Sequence, residues 1–409
     1  MFPESVFDRI SEALPLRISI VTSRRYHLLD LARELAAIGH AVRFFSCMPV
    51  KKVVRAGLPL KCFRSVQLSC LPWLAAQRFG SDRIRESLEP RLHRAVDRAS
   101  ARRLGRCDFV IGLSGTCVRC FQKAKSHYGS RLYLERGGRH ILSQKDILEQ
   151  VPGSARPAIT HADLKREIWG YTHADVVVVA SQHAEQSFLE RGVDASRIFR
   201  TPYGVDLDKF GPTARLPREI PTVLYVGTWS NRNGCDLLGH ALRGRQVKLI
   251  HVGPRGDAAP PVLAQFERRE MVEDWELCQI FRSVDILVRP SRGEGLDMVL
   301  AQALAAGVPV VCTDRSGGED LREFVDDPEA IIVAKAGNLE TLSDAIRQGL
   351  ALAFTQGGPR CFINKGRDAL SWRSYGQRYH EDLIQRMKIK RPVVSPEVTL
   401  GFPIVESGA

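Results

Sequence analysis

The segment RPSRGEGLDMVLAQALAAGVPVVCTD, residues 289–314, decides the fold of this chain. The apolar run 285–288 stops at Pro290, a small polar loop follows, and apolar residues recur through 298–306 at helical spacing before the next apolar run. The order strand, loop, helix, strand predicts a parallel α/β sheet. The loop carries Glu294 just before the helix N-terminus, where free backbone N–H groups favour a bound anion, most obviously a phosphate.

The composition is that of a globular protein large enough for two domains. The chain has 409 residues, of which 44% are hydrophobic and 26% charged. No run approaches the roughly 20 apolar residues that span a bilayer, and the first residues lack the order of a signal peptide, so we expect a cytosolic protein. Ten cysteines, scattered singly apart from the CxxC at 117–120, fit a reducing compartment. That CxxC has no second Cys or His pair at ligand spacing, so neither redox chemistry nor a metal is expected there.

The net charge of +13 lies entirely in the N-terminal half. Residues 1–210 contain 34 Lys and Arg against 21 Asp and Glu, whereas residues 211–409 contain 25 of each class. This asymmetry indicates that the N-terminal half faces an anionic partner. A solubilising surface is the alternative.

The N-terminal half opens with a βαβ unit, which predicts a Rossmann-like domain. Strands are predicted at 16–22 and 41–47, around a helix at 28–38. The loop after the first strand lacks GxGxxG, so nothing indicates nicotinamide or flavin binding. Arg24 and His27 lie in that loop, at the strand end where an active-site cleft is expected; a simply solvated loop is the alternative.

A predicted helix at 81–106 is amphipathic and carries eight arginines. A basic amphipathic helix next to the apolar segment 71–74 is typical of attachment to an anionic membrane surface. The alternative is a helix that packs on the sheet and leaves a solvated basic face. Nucleic acid is not expected as a partner, because no recognised reading motif accompanies the basic residues.

The segment 135–140 reads Glu-Arg-Gly-Gly-Arg-His and ends another predicted strand. Its glycines permit a ligand to approach the backbone, its arginines can pair with phosphate, and its histidine can bond a substrate hydroxyl or handle a proton. We therefore predict that four of its residues contribute to a cleft: Arg136, Gly137, Gly138 and His140.

The segment 202–212 breaks the α/β pattern and predicts a domain boundary. We expect an N-terminal domain at 1–210, a second domain at 211–370, and a C-terminal helix and tail at 371–409 that crosses back to the first domain. Residues 206–208 spell DxD, a motif that holds Mn²⁺ in another fold class, but no nucleotide-binding strand precedes it and a linker is the better interpretation.

The second domain repeats the alternation of strands and helices. Its strands are predicted at 222–228, 247–253, 285–288, 308–312 and 330–333, and its helices near Gly234, Trp275, Met298, Gly318 and Glu340.

Together these features resemble the retaining nucleotide-sugar glycosyltransferases of family 4, which have the GT-B fold. The features are two tandem Rossmann-like halves, the GVDxxxF linker at 204–210, a Gly-bounded turn at 227–234, and S-x-x-E-G…A-x-G-x-P-V-V at 291–311. A subgroup of that family is similar in the N-terminal half: its patterns YHxxDLA, ERGSxH and PYGVD correspond to residues 26–32, 135–140 and 202–206 of this chain. The resemblance implies an α/β protein with two Rossmann-like domains whose parallel sheets face each other across a cleft.

The resemblance also implies roles for individual residues of the second domain. Glu294 begins the family's E-x7-E motif and would hold a donor-sugar hydroxyl, while amides of Gly295, Leu296 and Asp297 would meet the diphosphate. The second glutamate, which grips the ribose, is Gln302 here. The family's two phosphate-binding cations fall on Thr228 and Asn233, next to the turn glycine Gly227. We expect Arg232, Arg289 or Arg292 to replace them, because such enzymes use cations and dipoles rather than a metal.

The resemblance predicts transfer of a sugar, with retention, from a nucleotide diphosphate to a polysaccharide or lipid-linked oligosaccharide. Glu294 and His140 would be the catalytic residues, with Arg24, His27 and Arg136 on the acceptor side. A glycosyltransferase-like binding subunit without activity is the alternative, favoured by the replacements at 228, 233 and 302. An epimerase on the same fold matches the motifs less well. The predicted location is cytoplasmic, at the inner face of the membrane.

Overall fold

The structure is a computed structural model that describes residues 15–24, 27–79, 82–151, 159–212, 219–355 and 368–389. Tyr26, most of the predicted linker after Pro212 and the predicted C-terminal tail from residue 390 onward lie outside the described residues. The described residues form two α/β domains joined at 202–212.

The N-terminal domain is built on a seven-stranded parallel sheet in the order β3-β2-β1-β4-β5-β6-β7. Its core strands are apolar runs that are buried on both faces, as a sheet covered by helices requires. The strands are β1 (Arg17–Val21), β2 (Ala41–Ser46), β3 (Phe63–Ser65), β4 (Phe109–Leu113), β5 (Arg131–Glu135), β6 (Val176–Val179) and β7 (Ile198–Arg200).

The C-terminal domain is built on a six-stranded parallel sheet in the order β10-β9-β8-β11-β12-β13. The expected strands are present, and the opening segment forms β11, its loop, a helix and β12. The strands are β8 (Thr222–Val226), β9 (Lys248–Val252), β10 (Gln265–Arg269), β11 (Ile286–Val288), β12 (Val310–Thr313) and β13 (Ile331–Ala334).

Helices connect the parallel strands in both domains. In the first domain they are α1 (His27–Ile38), α2 (Val50–Arg55), α3 (Gln67–Phe79), α4 (Asp82–Arg103), α5 (Val118–Tyr128), α6 (Ile141–Glu149), α7 (His161–His173) and α8 (Gln182–Leu189). In the second they are α9 (Cys235–Leu242), α10 (Asp274–Arg282), α11 (Met298–Ala305) and α12 (Leu339–Thr355). The helix expected near Gly318 is a short 3-10 helix, Glu319–Phe324.

The last helix, α13 (Trp372–Lys388), packs on the N-terminal domain. A Cβ on Gly376 would lie 2.4 Å from Cβ of Glu34, so the glycine lets α13 approach α1 closely. At the start of α13, the amide of Val205 donates to the carbonyl of Leu370 at 2.8 Å. The two connections between the domains, 202–212 and 368–371, therefore run side by side.

Candidate functional site

A cleft of about 830 Å³ lies between the two domains, lined by loops that follow strand ends of both sheets. Nine of the sequence-predicted residues line it: His27, Gly137, Gly138, Arg232, Glu294, Gly295, Leu296, Asp297 and Gln302. Seven are not among its lining residues: Arg24, Arg136, His140, Gly227, Thr228, Asn233 and Arg292. The structure therefore brings the loop at 294–297 into one cleft with part of the N-terminal wall.

Gly295 lies at a point where the backbones of the two domains approach each other closely. A Cβ at this position would be 1.6 Å from the carbonyl oxygen of Gly137 and 3.2 Å from Cα of Gly138. No side chain fits there, so the glycine permits backbone contact between the domains. The loop is also tied to its neighbour, because the amide of Glu294 donates to the carbonyl of Arg315 at 3.0 Å.

The loop is organised around a buried guanidinium, that of Arg289. Its Nη2 contacts Oε2 of Glu294 at 2.7 Å and Oδ2 of Asp297 at 2.5 Å. Its Nη1 donates to the carbonyl of Val226 at 2.6 Å. The two carboxylates raise the pKa of Arg289 well above its usual value, against the opposing effect of burial. Arg289 is 4% exposed, so it neutralises the loop and does not line the cleft.

Helix α11 begins at this loop and directs its N-terminus into the cleft. Asp297 is the N-cap, and its side chain accepts a hydrogen bond from the amide of Val299 at 3.1 Å. Gln302 lies one turn further along the helix, half-buried and lining the cleft. Unpaired N–H groups at a helix start favour an anion, and the amide of Gln302 can bond a hydroxyl without a charge.

Of the candidate replacement cations, Arg232 faces the cleft. Its guanidinium makes no hydrogen bond or ion pair with the part of the chain that the structure describes, and its Nε is buried without a partner. Burial lowers its pKa, and the carboxylate of Glu294 acts in the opposite direction. Arg292, by contrast, forms a bidentate ion pair with Asp236, with both contacts at 2.7 Å. The expectation that Arg292 turns toward the phosphates is therefore wrong for this structure.

The turn from Gly227 to Gly234 is held by its own backbone and side chains. The buried amide of Asn233 donates to the carbonyl of Thr228 at 2.9 Å, so its side chain ties the turn together and does not reach the cleft. Thr228 is exposed outside the cleft lining. Gly234 has a φ of 72° and lies against the carbonyl of Pro290, a position that only glycine can occupy.

On the N-terminal wall, His27 is the first residue of α1, and its Nε2 contacts Oε2 of Glu135 at 2.9 Å. Tyr203, from the PYGVD segment, stacks on this imidazole with ring centroids 4.3 Å apart and also lines the cleft. Neither Glu135 nor Tyr203 was singled out from the sequence. The sequence signal that could have identified them as site residues is their position inside the ERGG and PYGVD segments.

Arg136 and Arg24 point away from the cleft. Arg136 donates to Gln144 at 2.6 Å, to the carbonyl of Arg139 at 3.0 Å and to Glu167 at 3.4 Å, so it fixes the loop to α6 and α7. Arg24 lies 3.4 Å from Glu89 of α4. Both are structural contacts of the first domain in this structure.

His140 lies behind the cleft wall, and its predicted place at the cleft is corrected here. It is fully buried against Tyr171 and Phe188, and its Nδ1 accepts a hydrogen bond from the amide of Leu142 as the N-cap of α6. Burial lowers the pKa of His140 to about 3. A neutral imidazole enclosed in this way is a capping group, so the structure gives no support to a proton-handling role.

The DxD segment behaves as part of the interdomain connection. Asp206 lines the rim of the cleft and forms an ion pair with Lys209 at 2.5 Å. Within the described ranges, no group of three or more His, Cys, Asp or Glu residues is placed to hold a metal ion. In the same residues, no helix combines the length and apolar character needed to cross a membrane.

Residues 220–351 match the family model described as glycosyl transferases group 1. A D-inositol 3-phosphate glycosyltransferase of Xylanimonas cellulosilytica is 31% identical over 39% of this chain and 45% of its own length. A phosphatidyl-myo-inositol mannosyltransferase of Mycobacterium tuberculosis is 37% identical over 30% of this chain and 36% of its own length. The chain thus spans less than half the length of these curated relatives.

Solved structures match over nearly the whole chain and show the fold. Sucrose-phosphate synthase from Thermosynechococcus elongatus matches with a TM-score of 0.67 at 19% identity, covering 90% of this chain and 98% of that one. A trehalose-6-phosphate protein from E. coli bound with UDP-2-fluoro glucose matches with a TM-score of 0.58 at 11% identity, covering 90% and 99%. The predicted fold class, two Rossmann-like α/β domains in the GT-B arrangement, is confirmed.

Proposed function

We propose that this protein is a glycosyltransferase that moves a sugar from a nucleotide diphosphate donor, with retention, to a polysaccharide or lipid-linked oligosaccharide. The observation that carries the proposal is the Glu294–Asp297 loop, which opens α11 into the cleft and shares that cleft with the unpaired Arg232. The glycosyl transferases group 1 match covers this loop. Among the matched relatives, the name of one includes GDP-mannose, a nucleotide diphosphate donor, and the name of another includes phosphatidyl-myo-inositol, a lipid acceptor, and both names support the proposal.

On the donor side, the N-terminus of α11 and the guanidinium of Arg232 would stabilise the diphosphate as it leaves. The helix N-terminus is fixed before the donor binds, because Asp297 caps it, and the unpaired guanidinium of Arg232 is free to bond the diphosphate. Hydrogen-bond donors aimed at developing charge are usually the largest source of rate enhancement in such sites. Glu294 would bond a hydroxyl of the donor sugar, and Gln302 would bond the ribose. Arg289 orients the carboxylate of Glu294 from behind the loop through a contact of 2.7 Å.

The proposed step is a displacement on one face of the sugar. The acceptor oxygen bonds to the anomeric carbon as the bond from that carbon to the diphosphate oxygen breaks. The electron pair of the broken bond leaves with the diphosphate, and the acceptor's proton passes to the leaving phosphate oxygen. The step needs no nucleophile from the protein, and we propose that it uses no metal or cofactor.

Isothermal titration with UDP, GDP and ADP tests this proposal. We expect one of them to bind, and Arg232→Ala to weaken that binding about 10- to 100-fold, because a hydrogen bond to a charged group contributes about 1.5–3 kcal/mol. Arg292→Ala is the matched control: it removes a cation two residues from Glu294 that pairs with Asp236, so affinity should change less than about threefold. Equal losses in both variants would contradict the role of Arg232.

The alternative, a binding subunit that has lost catalysis, predicts a different outcome. Replacement of both family cations by Thr228 and Asn233 leaves Arg232 as the unpaired cation next to the loop at 294–297, within the described residues. If no nucleoside diphosphate binds to the wild-type protein, the alternative replaces the proposal. We also propose a cytoplasmic location with peripheral attachment to an anionic membrane through the first domain.

A further inference from the structure

A buried carboxylate, Glu135 at the end of β5, fixes the imidazole of His27 on the N-terminal wall of the cleft. Glu135 is 1% exposed, and its Oε2 lies 2.9 Å from Nε2 of His27. An ionised carboxylate only accepts hydrogen bonds, so Nε2 carries the proton in this contact. The other ring nitrogen, Nδ1, is left as a hydrogen-bond acceptor.

Nδ1 of His27 has no partner in the described chain and is not fully enclosed. None of the described residues forms a hydrogen bond with Nδ1. The atom is also not one of the fully buried polar atoms without a partner, so it retains some exposure. His27 itself lines the cleft, and Nδ1 is the ring nitrogen that Glu135 does not hold. A histidine with a purely structural role, such as His140, is instead fully buried.

Aromatic rings hold the plane of the imidazole. Tyr203 stacks on one side, with centroids 4.3 Å apart and an interplanar angle of 30°. Tyr375 contacts the ring edge-on, with centroids 6.3 Å apart and an angle of 84°. Two ring contacts and one hydrogen bond leave the imidazole little freedom, as a group that positions a substrate requires.

The carboxylate is held in turn by the C-terminal helix. The hydroxyl of Tyr379 donates to Oε1 of Glu135, so both carboxylate oxygens have a donor. Tyr379 and Tyr375 both lie on α13, the helix that packs on the first domain after the second domain ends. The cleft wall at His27 is therefore completed by Tyr379, which lies 244 residues from Glu135 in sequence.

We propose that His27, Glu135 and Tyr379 form a relay that orients the acceptor. Nδ1 of His27 accepts a hydrogen bond from the attacking sugar hydroxyl and aims its oxygen at the anomeric carbon, while Glu135 and Tyr379 are positioning residues. The proton still leaves on the phosphate oxygen, so the imidazole neither gains nor loses a proton overall. This inference rests on the proposed function, which identifies the hydroxyl as one of the sugar acceptor. It implies that the acceptor group in contact with Nδ1 is an uncharged hydroxyl.

The first test is spectroscopic and needs no substrate. Long-range ¹H–¹⁵N correlation spectra of ¹⁵N-histidine-labelled protein at pH 8.5 report which ring nitrogen of His27 carries the proton, with His27→Gln providing the assignment. We expect the Nε2–H tautomer in the wild type and a mixture of tautomers in Glu135→Gln, whose amide both donates and accepts. An Nδ1–H tautomer or an imidazolium in the wild type would overturn the relay.

The second test uses a matched pair of tyrosines on the two sides of the α13 interface. Tyr379→Phe removes the donor to Glu135, whereas Tyr133→Phe removes the donor to Asp382 of α13, a 2.5 Å contact that does not involve Glu135 or His27. Release of nucleoside diphosphate from UDP-glucose or GDP-mannose is measured, with water as the hydroxyl probe. We expect Tyr379→Phe to lower kcat about tenfold or more with the nucleotide Kd unchanged, and Tyr133→Phe to leave kcat within about twofold.

These outcomes separate the inference from the proposed function. Equal effects of the two tyrosine variants on kcat, or effects confined to thermal stability, would reduce Tyr379 to a packing role and overturn the relay. Failure of the wild type to bind any nucleoside diphosphate would instead overturn the proposed function. In that case the tautomer of His27 still decides whether the relay geometry exists in solution.

Discussion

The residue that most strongly determines the geometry of the loop at 294–297 is Arg289, one of the three cations that the sequence analysis named as possible phosphate ligands. It extends from the end of β11 to the carbonyl of Val226 at the end of β8, so one guanidinium joins the two central strands of the sheet to the loop at 294–297. A Cβ on Gly227 would lie 2.5 Å from its Nη1. The glycine after β8 therefore leaves room for an arginine that comes from the neighbouring strand.

Removal of this cation should destabilise the fold. Arg289→Met leaves Glu294 and Asp297 without their partner, and breaking a buried ion pair on one side typically costs 3–5 kcal/mol. Because these carboxylates are about a quarter exposed, we expect about 3 kcal/mol in the free energy of unfolding, measured by urea titration. Arg347→Met, which breaks an exposed pair with Asp344, should cost less than about 0.5 kcal/mol. Similar losses in both variants would contradict the assignment.

Two buried histidines, His40 and His140, and the half-buried His183 should make the protein sensitive to acid. Burial lowers the pKa values of His40 to about 4, His140 to about 3 and His183 to about 4, below the unfolded value near 6.5. Between about pH 6.5 and pH 4 the unfolded chain binds protons that the native state does not, so stability is complete above this window and falls as the pH decreases through it.

His140→Asn tests one of these contributions. Asparagine is a good N-cap, so the start of α6 should be retained while the titrating group is removed. We expect the pH dependence of the unfolding free energy below pH 6.5 to become shallower by up to about 1.4 kcal/mol per pH unit. Replacement of the exposed His161 by asparagine is the matched control for the substitution itself. An unchanged slope in His140→Asn would show that His140 titrates alike in both states.

Among the helices, α4 packs its apolar face, which the sequence predicted, into the core of the N-terminal domain. Leu92 and Val96 are buried in the core, while its arginines at 91, 94, 98 and 102 are exposed. Insertion of that apolar face into a membrane is therefore not compatible with this structure. Membrane attachment through α4 would be electrostatic and would weaken with salt.

Flotation with liposomes containing phosphatidylserine checks the remaining electrostatic form of attachment. We expect binding in low salt that is lost at high salt, and a loss of most binding in the triple variant Arg94→Glu, Arg98→Glu, Arg102→Glu, because each basic residue near an anionic surface contributes about 1 kcal/mol. Arg347→Glu on the second domain is the control and should float like the wild type. Equal flotation of the triple variant would leave the solvated-surface interpretation of α4.

The elements themselves could be read from the sequence, but the directions of their side chains could not. Apolar runs bounded by glycine or proline predicted the central strands of both sheets, because in an α/β protein such short runs seldom form anything other than a buried strand. The edge strands β3, β7 and β10 are short and partly polar, and were not predicted. His140 and Asn233 stand in loops that do face the cleft, but each turns inward to satisfy a backbone group. The direction of these side chains depends on tertiary contacts, which a local sequence pattern does not specify.

For the whole molecule, the structure shows the two domains in direct contact along one side of the cleft. Three glycines of the second domain lie against the first: Gly293 against Ile147, Gly295 against Gly137, and Gly317 against Ser181. A Cβ at any of them would come within 2.7 Å of its neighbour. Because this contact lies beside Glu294 and next to the pocket, it holds the two walls of the cleft together in a closed form, which we expect to limit the access of water.

Gly295→Ala should open this contact. The added methyl group would overlap the carbonyl oxygen of Gly137, and overpacking of this kind costs about 1–3 kcal/mol in the closed form alone. We expect a larger radius of gyration by small-angle X-ray scattering and a turnover reduced about 5- to 150-fold, since the closed population falls by that factor. Gly239→Ala, which lies in α9 with its nearest neighbour 3.4 Å away, is the control and should change neither quantity. Scattering of Gly295→Ala identical to the wild type would mean that the domains do not meet at Gly295 in solution, and the closed cleft would then have to be formed by other contacts.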